Sequence, residues 1–112
     1  MSEKRLIDPQ SAVDFMLKTA PEYAKAKAER VYLEEFRKSK KAILMQNHAE
    51  QSIGAQEREA YAHPEYLTLL LALRAAVEAE ETWRWKLVAA QARVEVWRSQ
   101  EASNRAQDRV TQ

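Results

Sequence analysis

The chain contains no cysteine, one glycine and three prolines. The lack of cysteine excludes disulfides, thiolate catalysis and cysteine-based metal sites. Glycine and proline punctuate most turns, so their scarcity predicts long helices joined by few turns. The chain also lacks an excess of either positive or negative charge. The 18 Lys and Arg nearly balance the 17 Asp and Glu, for a formal charge of +1, so overall charge gives no preference for nucleic acid.

Long apolar runs are absent as well. The most apolar stretch, 67–73, stops at Arg74, far short of the roughly 20 residues that cross a bilayer. The first nine residues lack the apolar core of a signal peptide. These features predict a protein of the cytoplasm, with no membrane partner.

What the chain does have is a heptad pattern between Tyr66 and Glu101, in which steps of three and four residues alternate. We call these positions the seam: Tyr66, Leu69, Leu73, Ala76, Glu80, Trp83, Leu87, Ala90, Val94, Trp97 and Glu101. Only Glu80 and Glu101 are charged. No glycine or proline interrupts the run. The seam predicts one long helix that packs along a partner helix.

A first long helix is expected from Tyr23 to about Ala49. On a helical wheel one face holds a stripe that should pack on the second helix: Ala28, Tyr32, Phe36, Ser39 and Ile43. Leu33, Leu44 and Met45 fall outside this stripe and leave apolar surface for a second contact. Cations gather on the opposite face: Lys27, Arg30, Arg37, Lys38 and Lys41. The only glycine, Gly54, is the expected left-handed cap or turn after this helix.

Two four-residue segments, Ala20-Pro-Glu-Tyr23 and His63-Pro-Glu-Tyr66, indicate either helix starts or kinks where one helix passes into another. Proline is tolerated in a first turn, and the adjacent glutamate complements the helix dipole. A separate short helix, Ala12 to Lys18, is therefore predicted before the first copy. Another short helical turn, Gln56 to His63, is predicted before the second.

Together these elements predict an all-α fold, an antiparallel long helical hairpin with a short N-terminal helix. Residues 1–10 would be a flexible lead-in, 11–104 the hairpin domain and 105–112 a frayed tail. The second helix should outrun the first and leave Val94 and Trp97 uncovered. Such an overhang predicts a homo-oligomer, with a dimer that forms a helical bundle favoured.

The expected interface consists of seam residues: Leu73, Glu80, Trp83, Leu87, Val94 and Trp97. Glu80 is the informative one, because a carboxylate in a seam must be paired, protonated or at a wet edge. Lys38 and Lys40 are its expected partners if it is paired, and it would then set the helix register. The alternative is that it leans to the edge and stays hydrated.

Five residues are candidate contacts for a partner or for nucleic acid: Arg30, Arg37, Lys38, Lys41 and Trp85. A basic helix next to an exposed tryptophan can follow a phosphate backbone and stack a base. The competing interpretations are that the cations form a solvated face and that Trp85 covers the N-terminal helix.

No enzyme signature is present in the sequence. Glycine-rich phosphate loops, nucleophile elbows and HExxH are missing. His48 and Glu50 are too few to bind a transition metal. We therefore expect no catalytic residue, no cofactor and no metal site.

Several phrases resemble a family of small helical proteins from the early regions of tailed bacteriophages and prophages. They are Ser11-Ala-Val-Asp-Phe15, Ala26-Lys-Ala-Glu-Arg-Val-Tyr32, Lys38-Ser-Lys-Lys41, Tyr61-Ala62, Glu65-Tyr66, Glu95-Val-Trp-Arg-Ser99 and Asn104-Arg105. The resemblance covers nearly the whole chain. It implies a role in phage DNA metabolism in the host cytoplasm and supplies no catalytic residues.

Three function classes follow from the residues and the resemblance. The first is a non-catalytic accessory factor that binds a protein partner in phage DNA recombination or replication. The second is a single-stranded nucleic-acid binder that uses the basic first helix. The third is a small inhibitor of a host enzyme or defence complex.

Overall fold

The protein is all-α, and a computed structural model describes residues 7–111. Helix α1 spans Pro9–Met45, a single 3-10 turn follows at Gln46–His48, α2 spans Ile53–Ala62 and α3 spans Pro64–Thr111. The helical hairpin predicted from the sequence is confirmed. The chain divides into two compact units. The first contains the described residues 7–23 and 83–111, and the second contains 24–82.

The predicted short N-terminal helix is wrong as a separate element, because residues 12–18 lie inside α1. Pro21 is in the interior of that helix and does not start a new one. It lacks an N–H to donate to the carbonyl of Leu17, so one helical hydrogen bond is forfeited there. Of the expected 1–10 lead-in, Pro9 and Gln10 are already helical, and residues 1–6 lie outside the described part.

The second proline segment does start a helix, and the residue before the proline explains the difference. His63 has extended backbone angles, with φ −67° and ψ 136°, and its Nδ1 accepts a hydrogen bond from the Glu65 N–H at 3.0 Å. That bond satisfies one of the free N–H groups at the start of α3. Ala20 has no side-chain acceptor, so the first copy cannot be capped in this way.

The prediction for Gly54 is also wrong. It lies in the first turn of α2 and does not have a positive φ. The start of α2 is set by Ser52, whose hydroxyl oxygen accepts a hydrogen bond from the Ala55 N–H at 3.2 Å. The expected turn at Gln56 to His63 is thus a ten-residue helix that begins three residues earlier.

The Ser52 cap gives a first prediction. Ser52→Ala should destabilise α2 by about 1 kcal/mol, because the Ala55 N–H loses its acceptor. Urea unfolding followed by circular dichroism measures the change. Ser103→Ala, an exposed serine inside α3, is the matched control and should not destabilise the protein. Equal losses for both variants would contradict a capping role.

The seam is covered along its whole length. All eleven of its residues are buried or half-buried, and between 66 and 101 only Leu70 joins them. The predicted interface residues Leu73, Glu80, Trp83 and Leu87 therefore face into their own unit. Val94 and Trp97 are half-buried too, so they do not lie on a bare overhang, since α1 begins at Pro9 and not near Tyr23.

The face predicted for the first helix is wrong. Ala28, Tyr32, Ser39 and Ile43 are exposed, and Phe36 is half-buried. The covered face of α1 carries a different set at heptad spacing: Ala12, Met16, Thr19, Tyr23, Ala26, Arg30, Leu33, Arg37, Lys40 and Leu44. Cations occupy three of these positions, where long aliphatic stems cover apolar surface while the charged ends reach polar partners.

A small core cluster holds α2 in the second unit. Leu44 of α1, Ala60 of α2 and Tyr66 of α3 are buried together, and Met45 and Leu70 pack against them. Ala60 is only 1% exposed, so α2 approaches closely at this point. The cluster fixes the position of Tyr61, the next residue along.

Helix α3 continues to Thr111, beyond the end of the seam. Every residue from 102 to 111 is exposed. A helical segment without tertiary contacts is marginal in water, so fraying of residues 105–111 stays a prediction. Gln112 lies outside the described residues.

Candidate functional site

The structure separates the five candidate contact residues into three environments. Arg30 is bound to the seam carboxylate Glu80. Arg37, Lys38 and Lys41 line one cleft of the second unit. Trp85 belongs to the first unit. The continuous basic surface expected from the sequence is therefore reduced to three cations.

Glu80 is a buried, paired carboxylate that is 7% exposed. Arg30 donates to it through two nitrogens: Nε bonds Oε2, and Nη2 bonds Oε1 at 3.1 Å. Its third nitrogen, Nη1, donates to Glu34 Oε2 at 3.0 Å. The hydrogen bond with Glu80 is the main reason that the pKa of Arg30 is raised, and the bond with Glu34 adds to it. The planar fork of an arginine matches a carboxylate in this two-point geometry.

This pairing corrects the partner expected for Glu80. Lys40 instead bonds Glu65 at 2.9 Å, and Lys38 lies 3.3 Å from Glu35. Both Arg30–Glu80 and Lys40–Glu65 join α1 to α3, and the α3 number falls as the α1 number rises. The two pairs thus fix an antiparallel register in the second unit.

The Lys40–Glu65 pair gives a titration prediction. The hydrogen bond from Lys40, followed by its charge, lowers the pKa of Glu65 below its ordinary value. A carboxylate with a lowered pKa contributes stability above its unfolded-state pKa, and the contribution is lost as pH falls through the folded-state pKa. Lys40→Gln should raise the pKa of Glu65 toward the ordinary value. An NMR titration of the Glu65 side chain measures it, with Lys38→Gln as the control that leaves it unchanged.

The cleft that holds the other three cations has a volume of about 640 Å³. We call it the basic cleft. Its lining residues are Arg37, Lys38, Lys41, Ala42, Met45, Tyr61 and Tyr66. They contain three cations, two phenols and no carboxylate. Small-molecule sites commonly enclose about 300–1,000 Å³, so the cleft has the size of a ligand site.

Lys41 is the most engaged of the three cations. Its Nζ lies 4.8 Å from the centre of the Tyr61 ring and 3.5 Å from Glu57 Oε1. The contact with Tyr61 is the leading cause of a raised pKa for Lys41, and the charge of Glu57 adds to it. Lys41 therefore carries its charge throughout the neutral range.

Arg37 and Lys38 are less engaged. Arg37 is half-buried and forms no ion pair with any described residue. Lys38 pairs with Glu35, but both side chains are about two-thirds exposed, and such exposed pairs contribute little. Two of the three cations can thus exchange their surroundings for a bound anion at small cost.

The two tyrosines of the cleft were missed as site residues in the sequence. Their rings meet edge to face, with centres 5.3 Å apart and planes at 74°. Tyr66 is buried in the core cluster, and Tyr61 is partly exposed at the cleft. The only available signal was that Tyr61 lies in the short helical turn predicted at Gln56 to His63, which does not reveal that α2 folds back beside the basic helix.

Trp85 is 58% exposed, and the Arg84 guanidinium lies 4.7 Å from its ring centre. In the same turn, Lys86 Nζ lies 4.8 Å from the ring of half-buried Trp83. Local cation–π contacts thus accompany both tryptophans. The proposed joint action of Trp85 with the basic helix would have to span two units, and it stays a prediction.

Across residues 7–111, no group of three acidic or histidine side chains could hold a metal ion. No helix in that range is long and apolar enough to cross a membrane. Comparison of the chain with protein-family models, curated proteins and solved structures found no match.

Proposed function

We propose that the protein is non-catalytic and acts through protein–protein contacts made by the outer face of α1. The observation that supports this is a largely apolar stripe of α1, four of whose five residues are left exposed by the chain itself. We call Ala28, Tyr32, Phe36, Ser39 and Ile43 the outer stripe. Tyr32 and Ile43 are 60% and 51% exposed. The buried carboxylate of the seam, Glu80, is held by Arg30, which argues for a structural role and against an acid–base role.

The outer stripe has the character of a packing surface. The rings of Tyr32 and Phe36 are stacked, with centres 5.8 Å apart and planes only 8° from parallel. They form a flat aromatic ridge on α1, and tyrosine and phenylalanine are enriched at protein interfaces. Contiguous exposed apolar surface marks interaction sites more often than isolated residues do.

A second copy of the chain is the partner that we propose for the outer stripe. A symmetric dimer brings the same stripe of both copies together, so one surface serves both sides. The formal charge of +1 imposes little long-range repulsion between copies. Two hairpins joined in this way would form a four-helix bundle.

The dimer is testable by light scattering between low and high micromolar concentrations, where we expect the mass of two chains. The double variant Tyr32→Ser with Ile43→Gln should shift the protein to a monomer over the same range. Val31→Gln is the matched control, since Val31 is an exposed apolar residue of α1 outside the stripe. A monomeric natural chain at high micromolar concentration would refute the dimer.

For the biological role we propose an accessory factor in phage DNA recombination or replication, located in the host cytoplasm. Its support is the resemblance of the sequence phrases to phage early-region proteins. Deleting the gene from a phage that carries it should lower the recombination frequency between two marked genomes. An inhibitor of a host enzyme or defence complex, the alternative, would leave that frequency unchanged and alter growth on the defended host.

Direct binding of single-stranded nucleic acid is the second candidate function. It is favoured by one observation, that Arg37, Lys38 and Lys41 line a single cleft without a carboxylate among its lining residues. Fluorescence anisotropy with a labelled oligonucleotide at two salt concentrations tests it. Affinity should fall with salt, because bound cations release counterions from the phosphates.

A further inference from the structure

We propose that the basic cleft binds one nucleotide of a single strand, with its phosphate between Arg37 and Lys41 and its base against Tyr61. This inference rests on the second candidate function and names the residues and the chemistry that would carry it. It differs from the expectation drawn from the sequence in two respects. Arg30 is excluded, and Tyr61 takes the stacking role that the sequence suggested for Trp85.

The phosphate end of the proposed site follows from the three cations. Arg37 presents a guanidinium that is not in an ion pair with any described residue, and guanidinium groups bind phosphate oxygens in a two-point geometry. Lys41 and Lys38 lie one turn and one residue further along α1, so the three charges line the same wall of the cleft. No carboxylate is among the lining residues, and a phosphodiester placed there would share Lys41 with Glu57, whose Oε1 lies 3.5 Å from the Lys41 Nζ.

The base end follows from Tyr61. Tyr61 is 46% exposed, and Tyr66 contacts its ring edge to face. Lys41 lies near the same ring and can therefore contact both the ring and a phosphate. Stacking on an aromatic ring is tolerant of base identity, because every base has a π face. The site should therefore bind a strand with little sequence preference.

A free nucleotide carries the same two groups as one unit of a strand, but the cleft favours the strand. It is open to solvent on the side of Lys38, which is exposed, so the strand can leave the cleft there and place a neighbouring phosphate near Lys38. We therefore expect a strand to bind more tightly than a mononucleotide.

The test uses the full chain, a labelled twelve-residue thymidine strand, an abasic strand of equal phosphate number and thymidine monophosphate. Arg37→Gln with Lys41→Gln should weaken binding of the thymidine strand by at least tenfold. Lys25→Gln with Lys27→Gln removes two exposed cations of α1 outside the cleft and should have a much smaller effect. Tyr61→Leu should weaken the thymidine strand by roughly tenfold and leave the abasic strand unchanged.

Several outcomes would overturn the inference. If the two double variants lose equal affinity, the cleft is not the site, although the chain still binds nucleic acid. If Tyr61→Leu weakens both strands equally, no base stacks there. Equal affinity for thymidine monophosphate and the strand would assign a free nucleotide instead. No binding of any probe at low salt would refute both this inference and the second candidate function. Circular dichroism of each variant confirms that helix content is retained.

Discussion

Leu44→Ala is expected to lower the free energy of unfolding by about 3 kcal/mol, the typical cost of truncating a buried leucine. Leu44 is 3% exposed and lies where α1, α2 and α3 meet, beside Ala60 and Tyr66. Truncation would leave a cavity that Met45 and Leu70 cannot close without shifting their own contacts. Urea unfolding of the natural chain and the variant measures the difference.

The matched control for that experiment is Leu71→Ala. Leu71 is an exposed leucine of α3 in the same unit, so its truncation removes the same atoms without leaving a cavity. Its effect should stay within about 0.5 kcal/mol. Similar losses for the two variants would mean that the three-helix junction does not hold α2.

Glu80→Ala is the second large effect that we expect, with a fall in melting temperature of roughly 5–10 °C. The variant removes the carboxylate that binds two nitrogens of Arg30. The guanidinium then lies against α3 with only Glu34 as its partner. Breaking a buried pair from one side is costly because the other charge stays in place without compensation.

Two further variants test whether the loss of stability comes from the unpaired charge of Arg30. Glu78→Ala, at an exposed site on the same helix, should leave the melting temperature nearly unchanged. Arg30→Met combined with Glu80→Leu should recover most of the loss, because an apolar pair of similar length can replace a buried ion pair. Failure of the double variant to recover would show that the pair sets the register of α1 against α3, which apolar groups do not specify.

The structure changes the interpretation of self-association. The sequence suggested that Val94 and Trp97 would need a second chain to cover them, but both are half-buried. Four of the five outer-stripe residues are exposed instead, although the hydrophobic pattern had assigned this stripe to the hairpin contact. The pattern of α1 thus identified an apolar face correctly and its partner incorrectly.

The residue pattern of α1 was misleading for a definite physical reason. A helical wheel scores arginine and lysine as polar, although most of each side chain is a hydrocarbon stem. Arg30, Arg37 and Lys40 occupy covered positions of α1, and Arg30 and Lys40 reach carboxylates on α3. On the helical wheel, the covered face of α1 therefore looked less apolar than the outer stripe with Tyr32 and Phe36.

Only the cations of the basic cleft could be predicted from the sequence. Arg37, Lys38 and Lys41 lie within about one turn of the same helix, so their clustering is a local property and could be predicted. The two tyrosines come from α2 and α3, and they reach the cations because α2 folds back and packs Ala60 against Leu44. That contact depends on the loop before α2 and on the Ser52 cap. Neither feature lets the sequence predict the direction in which α2 packs.

By itself the sequence determined the all-α class, the long second helix and its covered face, because a heptad pattern that is apolar except at Glu80 and Glu101 defines a single face to bury. Tertiary structure alone decided which face of α1 packs on it, that Arg30 and not a lysine binds Glu80, and that Pro21 is accommodated inside a helix. Those outcomes depend on competition between contacts of residues far apart in the chain. Local spacing fixes which residues share a face, whereas the partner of that face is chosen by the free energy of the whole assembly of helices.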